Sequence, residues 1–215
     1  MNLQKLFNMQ KQLDNHIVEE KGLQGQDLLD KKILALQVEL GELANEWRGF
    51  KFWKVNPKPR TKIEHLCTVC EGDGYDRFEG FVDQGTPCAE CNGNGKIGET
   101  NPLLEEYVDG IHFFLSLAND LKINPSDFVV EGDYTKESAT ETFNEVFSMV
   151  SSVPVLMDVD VPATIRTKDI QEVLHEAFSC YVGLAEKHLG FTWEQIEQAY
   201  LDKNAVNHKR QNTGY

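Results

Sequence analysis

No apolar run in this chain of 215 residues approaches the roughly 20 residues that a membrane span requires. The opening Met1-Asn2-Leu3-Gln4-Lys5 also lacks the apolar stretch of a signal peptide. The expected setting is cytoplasmic and reducing, with no membrane partner. Cationic side chains are scarce: 21 Lys and Arg stand against 35 Asp and Glu, for a formal net charge of -14. Such a field repels a polyanion and disfavours nucleic acid as a partner. It does not exclude a nucleotide that arrives with its own metal ions. No glycine-rich phosphate loop of the Walker type is present, which disfavours a motor or kinase of that class. Cysteine is sparse as well, and four of the five residues fall in a metal-binding pattern rather than a disulfide framework.

What is present centres on Leu36 to Lys54. Ile33, Leu36, Leu40, Leu43 and Trp47 recur at helical spacing, predicting an amphipathic helix from about Leu28 to Phe50. Glu39, Glu42 and Glu46 stack on one neighbouring arc of that helix. Like charges at i,i+3 and i,i+4 repel one another. One such cluster is compatible with a solvated acidic face. A second pair, Glu106 and Asp109, repeats the spacing on a helix expected over Pro102 to Leu121, which is apolar nearly all round. Carboxylates emerging from a buried helix are costly unless paired or metal-bound. Two facing carboxylate pairs suit a hard divalent cation such as Mg²⁺ and leave positions open for phosphate oxygens. A spare carboxylate among Glu39, Glu42 and Glu46 could orient and deprotonate a water.

Between these helices, Pro57 and Pro59 open an insert carrying Cys67-Thr-Val-Cys70 and Cys88-Ala-Glu-Cys91. Two such knuckles predict a closed, structural Cys₄ zinc site. Gly72 and Gly74, then Gly93 and Gly95, permit tight turns and aim amides at the thiolates. Each half resembles the Cys-x-x-Cys-x-Gly-x-Gly unit of the DnaJ cysteine-rich domain, two units standing here where that domain has four. The expected organisation is a helical domain over residues 1–56 and 102–215, with a zinc module over 57–101.

The remaining chain reads as helix over residues 2–19, with Gln10 and Asp14 bordering its stripe, and a loop over 122–134. A short helix around Phe143 to Val150 follows, then an extended connection over Pro154 to Thr167, and a long helix capped by Thr167 and stopped by Gly190. A last helix opens with a Thr192/Gln195 capping box and a Phe191/Ile196 staple. On that last helix Tyr200, Lys203, Asn207 and Arg210 share one face. A basic final turn suits the helix dipole. It is also the one place in an acidic chain that offers cations and amides to phosphates.

Glu39-Leu-Gly-Glu42 and Glu106-Tyr-Val-Asp109 resemble the paired motifs of the all-α, MazG-like nucleoside triphosphate pyrophosphatases. Ala44-Asn-Glu-Trp-Arg-Gly-Phe-Lys-Phe-Trp53, Gln10-Lys-Gln-Leu-Asp14 and the tail from Lys203 to Tyr215 are similar to the dimeric dUTPases within that superfamily. The resemblance implies a MazG-like helical bundle that hydrolyses dUTP to dUMP, releasing pyrophosphate, and leaves dUDP open as a second substrate. It implies Mg²⁺ at Glu39, Glu42, Glu106 and Asp109, with Glu46 assisting. Lys203, Asn207, Arg210 and Tyr215 would face the phosphates. Gln10, Asp14, Asn204 and Phe113 or Phe114 would lie near the base, and Trp53 would close the pocket. Asp14 stands where an amide is commoner, which leaves the base open; dCTP or a modified nucleotide is the nearest alternative substrate. The zinc insert is an addition to the usual family pattern, and removing residues 57–101 restores the typical motif spacing. The family and the broad apolar helix faces together predict a homodimer.

Two readings of other classes compete. A di-iron bundle wants Glu-x-x-His motifs, which Glu172-Val-Leu-His175 fits and Asp109-Gly-Ile-His112 approaches, but it gives the basic tail no work. A non-enzymatic docking protein would carry the zinc module on an inert helical scaffold, and the segment between its knuckles is not basic.

Overall fold

The structure is a computed structural model that describes residues 2–78, 81–157, 160 and 162–214. It consists of two compact units, Met1–Pro59 with Leu104–Tyr215, and Arg60–Leu103. The fold is predominantly helical. Among the described residues no helix is long and apolar enough to cross a membrane.

The larger unit contains α1 (Leu3–Glu20), α2 (Leu29–Trp47), α3 (Pro102–Asp120), α4 (Ala139–Leu156), α5 (Ala163–Leu184) and α6 (Trp193–Asn212). Their ends follow local chemistry. Asn2 caps α1 by accepting from the Lys5 amide. Pro102 opens α3, where its missing N–H costs nothing. Ser138 and Glu141 form a capping box on α4, and Thr192 and Gln195 form the expected one on α6. Gly190 ends the π-turn that extends α5, in a left-handed conformation at φ 75.

Three expected boundaries move. The acidic helix stops at Trp47 because Arg48 turns left-handed at φ 65, so Phe50 to Trp53 lie on turns beyond it. Pro154 lies inside α4 rather than in an extended connection. Proline there removes one amide bond close to the helix end, while Val153 keeps the turn anchored in the core. Helix α5 begins at Ala163, with Pro162 at its N-cap, so Thr167 is inside the helix rather than capping it. The expected loop over 122–134 contains a short 3₁₀ turn at Pro125–Phe128 that buries Phe128.

Helix α3 is the centre of the core. Tyr107, Ile111, Phe114, Leu115 and Ala118 are fully buried. Tyr107 stacks on Tyr181 of α5 at 4.5 Å, and each hydroxyl donates to the other residue's carbonyl, at 3.3 and 2.8 Å. Phe114 packs against Phe178 and Tyr181. Helix α1 packs on α6, and α4 lies against both α2 and α5. The apolar surface of α3 is therefore covered within one chain. The large exposed apolar residues instead include Leu34 and Val38 on α2 and Phe52, Trp53 and Val55 after it.

Among the described residues the smaller unit has two two-stranded antiparallel sheets: β1 (Ile63–Leu66) with β4 (Lys96–Thr100), and β2 (Tyr75–Phe78) with β3 (Phe81–Pro87). Its only cluster of buried hydrophobic side chains among the described residues is the four cysteines.

Candidate active site and metal centre

The cysteines come together as their spacing predicts. Sγ of Cys67 lies 3.9 Å from Cys88 and Sγ of Cys70 lies 3.7 Å from Cys91. A tetrahedron with Zn–S bonds of about 2.3 Å has sulfur–sulfur edges of about 3.8 Å, so the cluster is suited to a structural zinc ion. The Gly74 amide donates to Cys70 Sγ at 3.3 Å and the Gly95 amide to Cys91 Sγ at 3.2 Å. Both glycines have positive φ, and a Cβ would meet the Gly93 carbonyl at Gly74 and the Gly72 carbonyl at Gly95. Burial pushes the Cys70 thiol up, but the Gly74 and Gly72 amides and the neighbouring thiols outweigh it and bring it down to about 7. That is the direction a metal-binding thiolate needs.

In the larger unit a cavity of about 480 Å³ lies among α1, α2, α3 and α6. From α2 and α3, carboxylate oxygens of Glu39, Glu42 and Glu106 all lie within 4.8 Å of one another, and Glu39 lines the cavity. Burial, then Asp109 and Glu42, raise Glu39 to about 7. Burial, then Glu42, Asp109 and Glu39, do the same for Glu106. A carboxylate cluster in which Glu39 and Glu106 are held toward their neutral forms fits a hard divalent cation, which would relieve the repulsion and displace those protons. Asp109 lines the same cavity but is not in that trio. It faces Lys203 of α6, whose ammonium nitrogen is 2.5 Å away. Burial pushes Asp109 upward, and Lys203 opposes it.

The other expected residues divide by place. Asn207, Arg210 and Lys203 line the cavity from α6, and Phe113 lines it from α3. Phe114, one residue on, is in the core and outside the cavity wall, because adjacent helical residues point about 100° apart. Glu46 is buried at 6% exposure beside the apolar stripe of α2. Trp53 is 60% exposed, stacked edge-on against Phe50 and Phe52, and does not line the cavity. Tyr215 lies outside the described residues.

At the other end of the cavity Gln10 and Asp14 meet in one network. Gln10 Nε2 donates to Asp14 Oδ1 at 2.8 Å, and Ser116 Oγ donates to Asp14 Oδ2 at 2.7 Å. Lys32 Nζ is 3.7 Å from Asp14. Burial raises the Asp14 pKa, while Lys32, Ser116 and Gln10 favour its charged form. His112 Nδ1 is 2.7 Å from Gln10 Oε1, and Tyr200 donates to the same oxygen at 3.0 Å. Sequence reasoning gave Lys32 and Ser116 no role and gave His112 one only in the di-iron reading. Their signal was spacing: His112 and Ser116 follow Asp109 by three and seven residues on α3, and Lys32 precedes Glu39 by seven on α2. His175, the other half of the di-iron reading, sits 3.0 Å from the Val129 carbonyl and outside the carboxylate trio.

An all-α bundle with carboxylates from two helices and cations from a third around one cavity has the architecture of a MazG-like hydrolase. The family model described as dUTPase matches residues 2–66 and 93–215, and the chain belongs to that family. It is thus a pyrophosphatase-type hydrolase of nucleotide metabolism carrying a Cys₄ insert. No curated protein matches the chain in comparison.

Proposed function

We propose that the protein hydrolyses dUTP to dUMP and pyrophosphate, with dUDP as a second substrate. The observation that carries this reading is the shared cavity: Glu39, clustered with Glu42 and Glu106, lines it from α2, Asp109 lines it from α3, and Lys203, Asn207 and Arg210 line it from α6. Glu39, Glu42 and Glu106 would hold Mg²⁺, with Asp109 joining them when Lys203 turns to a phosphate. Bound there, the ion supplies charge to the phosphate oxygens and lowers the pKa of a coordinated water. Glu46, one turn beyond Glu42, would orient the attacking water and take its proton. Lys203 and Arg210 neutralise the phosphate chain and Asn207 donates to it, with Tyr215 assigned to the same end.

The base end is assigned to Gln10, Asp14, Asn204 and Phe113, the last offering an apolar wall. Trp53 would close the pocket from its exposed turn. A homodimer is part of the reading, supported by Leu34, Val38, Phe52 and Trp53, which leave apolar surface exposed on one chain. The zinc module is structural and takes no part in the chemistry.

A pyrophosphate-release panel over all nucleoside triphosphates with Mg²⁺ tests the reading. Turnover should require Mg²⁺ or Mn²⁺ and should favour dUTP. A dCTP rate equal to that of dUTP would overturn the base assignment and leave the dCTP or modified-nucleotide alternative. No release with any nucleotide would overturn the enzyme and leave a docking scaffold.

A further inference from the structure

Helices α1 and α6 run side by side in the same direction, and polar contacts advance together along both. Lys5 meets Glu197 at 3.4 Å, Gln10 meets Tyr200 at 3.0 Å, and His16 meets His208 at 2.8 Å. The two histidines line neither the cavity nor the carboxylate cluster. On α6, however, His208 stands next to Asn207 and two positions before Arg210, both of which line the cavity.

The contact is made by Nδ1 of each ring, the ring planes differ by 22°, and the centroids are 5.1 Å apart. That separation is close to the longest that a 2.8 Å nitrogen contact allows. The rings therefore meet edge to edge in nearly one plane, each Nδ1 pointing at the other. An ion on that line would sit far inside the about 2.0 Å that a metal–nitrogen bond needs. One hydrogen fits there instead, with one ring donating and the other accepting. A neutral pair meets this with opposite tautomers, and a singly protonated pair with an imidazolium donating to a neutral ring. A second proton sets N–H against N–H and breaks the contact.

The surroundings do not favour that second proton. Burial, then His16, hold His208 below the ordinary histidine value of 6.5. Lys209 and Arg210 follow His208 on α6, and Lys31 and Lys32 of α2 reach the wall of the cavity that Arg210 lines. On α1, Asp14 is engaged by Lys32, Ser116 and Gln10, while Glu19 and Glu20, a turn beyond His16, are exposed and screened by water.

We propose that His16 is a positioning residue: through one hydrogen shared with His208 it fixes the part of α6 that presents Asn207 and Arg210 to the phosphate chain, and a second proton on the pair releases it. This rests on the nucleotide reading of the same cavity.

The test has two arms. In ligand-free wild-type protein, nitrogen NMR of labelled histidine at about pH 8 should show a coupling between the two Nδ1 atoms across the shared hydrogen, lost on acidification. The second arm measures binding of α,β-imido-dUTP with Mg²⁺ by calorimetry at about pH 8 and about pH 5.5. His16→Asn keeps an amide toward His208 and takes up no proton, whereas His16→Leu cannot bond at all. At the higher pH the Leu variant should bind about 3- to 10-fold more weakly than wild type, and the Asn variant within about twofold of it. At the lower pH wild type should fall toward the Leu variant while the Asn variant stays ahead. Titration of the carboxylates is common to all three proteins and cancels in these ratios. Absence of the coupling at the higher pH overturns the shared hydrogen, and equal affinity of wild type and His16→Leu at both pH values overturns the positioning role. If wild type binds no α,β-imido-dUTP while the coupling is present, the nucleotide reading fails and the positioning role falls with it.

Discussion

Lys203 Nζ on α6 lies 2.5 Å from Asp109 Oδ2 on α3, joining helix faces 94 positions apart in the chain. This cation occupies the carboxylate that the Glu106-x-x-Asp109 spacing offers to a metal. The remaining trio of Glu39, Glu42 and Glu106 keeps its mutual repulsion. A phosphate chain and a divalent ion entering together would separate the pair, Lys203 going to phosphate and Asp109 to metal.

Charge removal at the trio tests the catalytic assignment. Glu39→Gln and Glu106→Gln each change charge with little change in shape and should lower kcat about 10²-fold or more, with the helical circular dichroism retained. Arg210→Ala should raise KM for the nucleotide. Near-wild-type turnover in both Gln variants would remove the trio from the mechanism.

The same carboxylates predict a pH dependence. Glu39 and Glu106 rise from 4.5 to about 7 in the folded protein. A raised carboxylate pKa contributes stability that is fully present below the unfolded value and lost as pH rises through the folded one. Gln stays neutral throughout. With metal chelated, the Tm of Glu39→Gln relative to wild type should therefore climb from about pH 5 to about pH 8, modestly because the site is half-exposed. Mg²⁺ at the upper pH should stabilise wild type more than the variant. Parallel Tm profiles in scanning calorimetry would contradict the raised pKa values.

Zinc should be separable from catalysis. Elemental analysis is expected to give one zinc per chain, and Cys67→Ser should release it and loosen the Arg60–Leu103 unit, read as faster proteolysis there. Mg²⁺ affinity at the carboxylates should stay within about twofold, since a closed four-thiolate site offers no position to substrate. Parallel loss of zinc and of Mg²⁺ binding would refute that separation.

Light scattering at low micromolar protein should return about twice the 24.5 kDa chain mass, with or without nucleotide. Trp53→Ala and Leu34→Asp should shift the mass toward one chain if the exposed apolar residues lie at the interface. A single-chain mass with full activity would show that the dimer is not required.

The features that the sequence determined by itself are local ones. The i,i+3 carboxylates, the Cys-x-x-Cys knuckles with their glycines, and the Thr192/Gln195 capping box each lie within a few residues, where backbone geometry fixes what meets what. Pro154 misled because proline weakens a helix without forbidding its last turn. Only the tertiary structure decided the relationships between distant segments. It paired Asp109 with Lys203 rather than with the trio, chose Phe113 over Phe114 for the cavity wall, and buried α3 within one chain. It also linked Asp14, Gln10, His112 and Tyr200 across three helices. Spacing can say that His112 shares an arc with Asp109. Which side chain its ring meets depends on Gln10, contributed 102 positions away, and that is a property of packing.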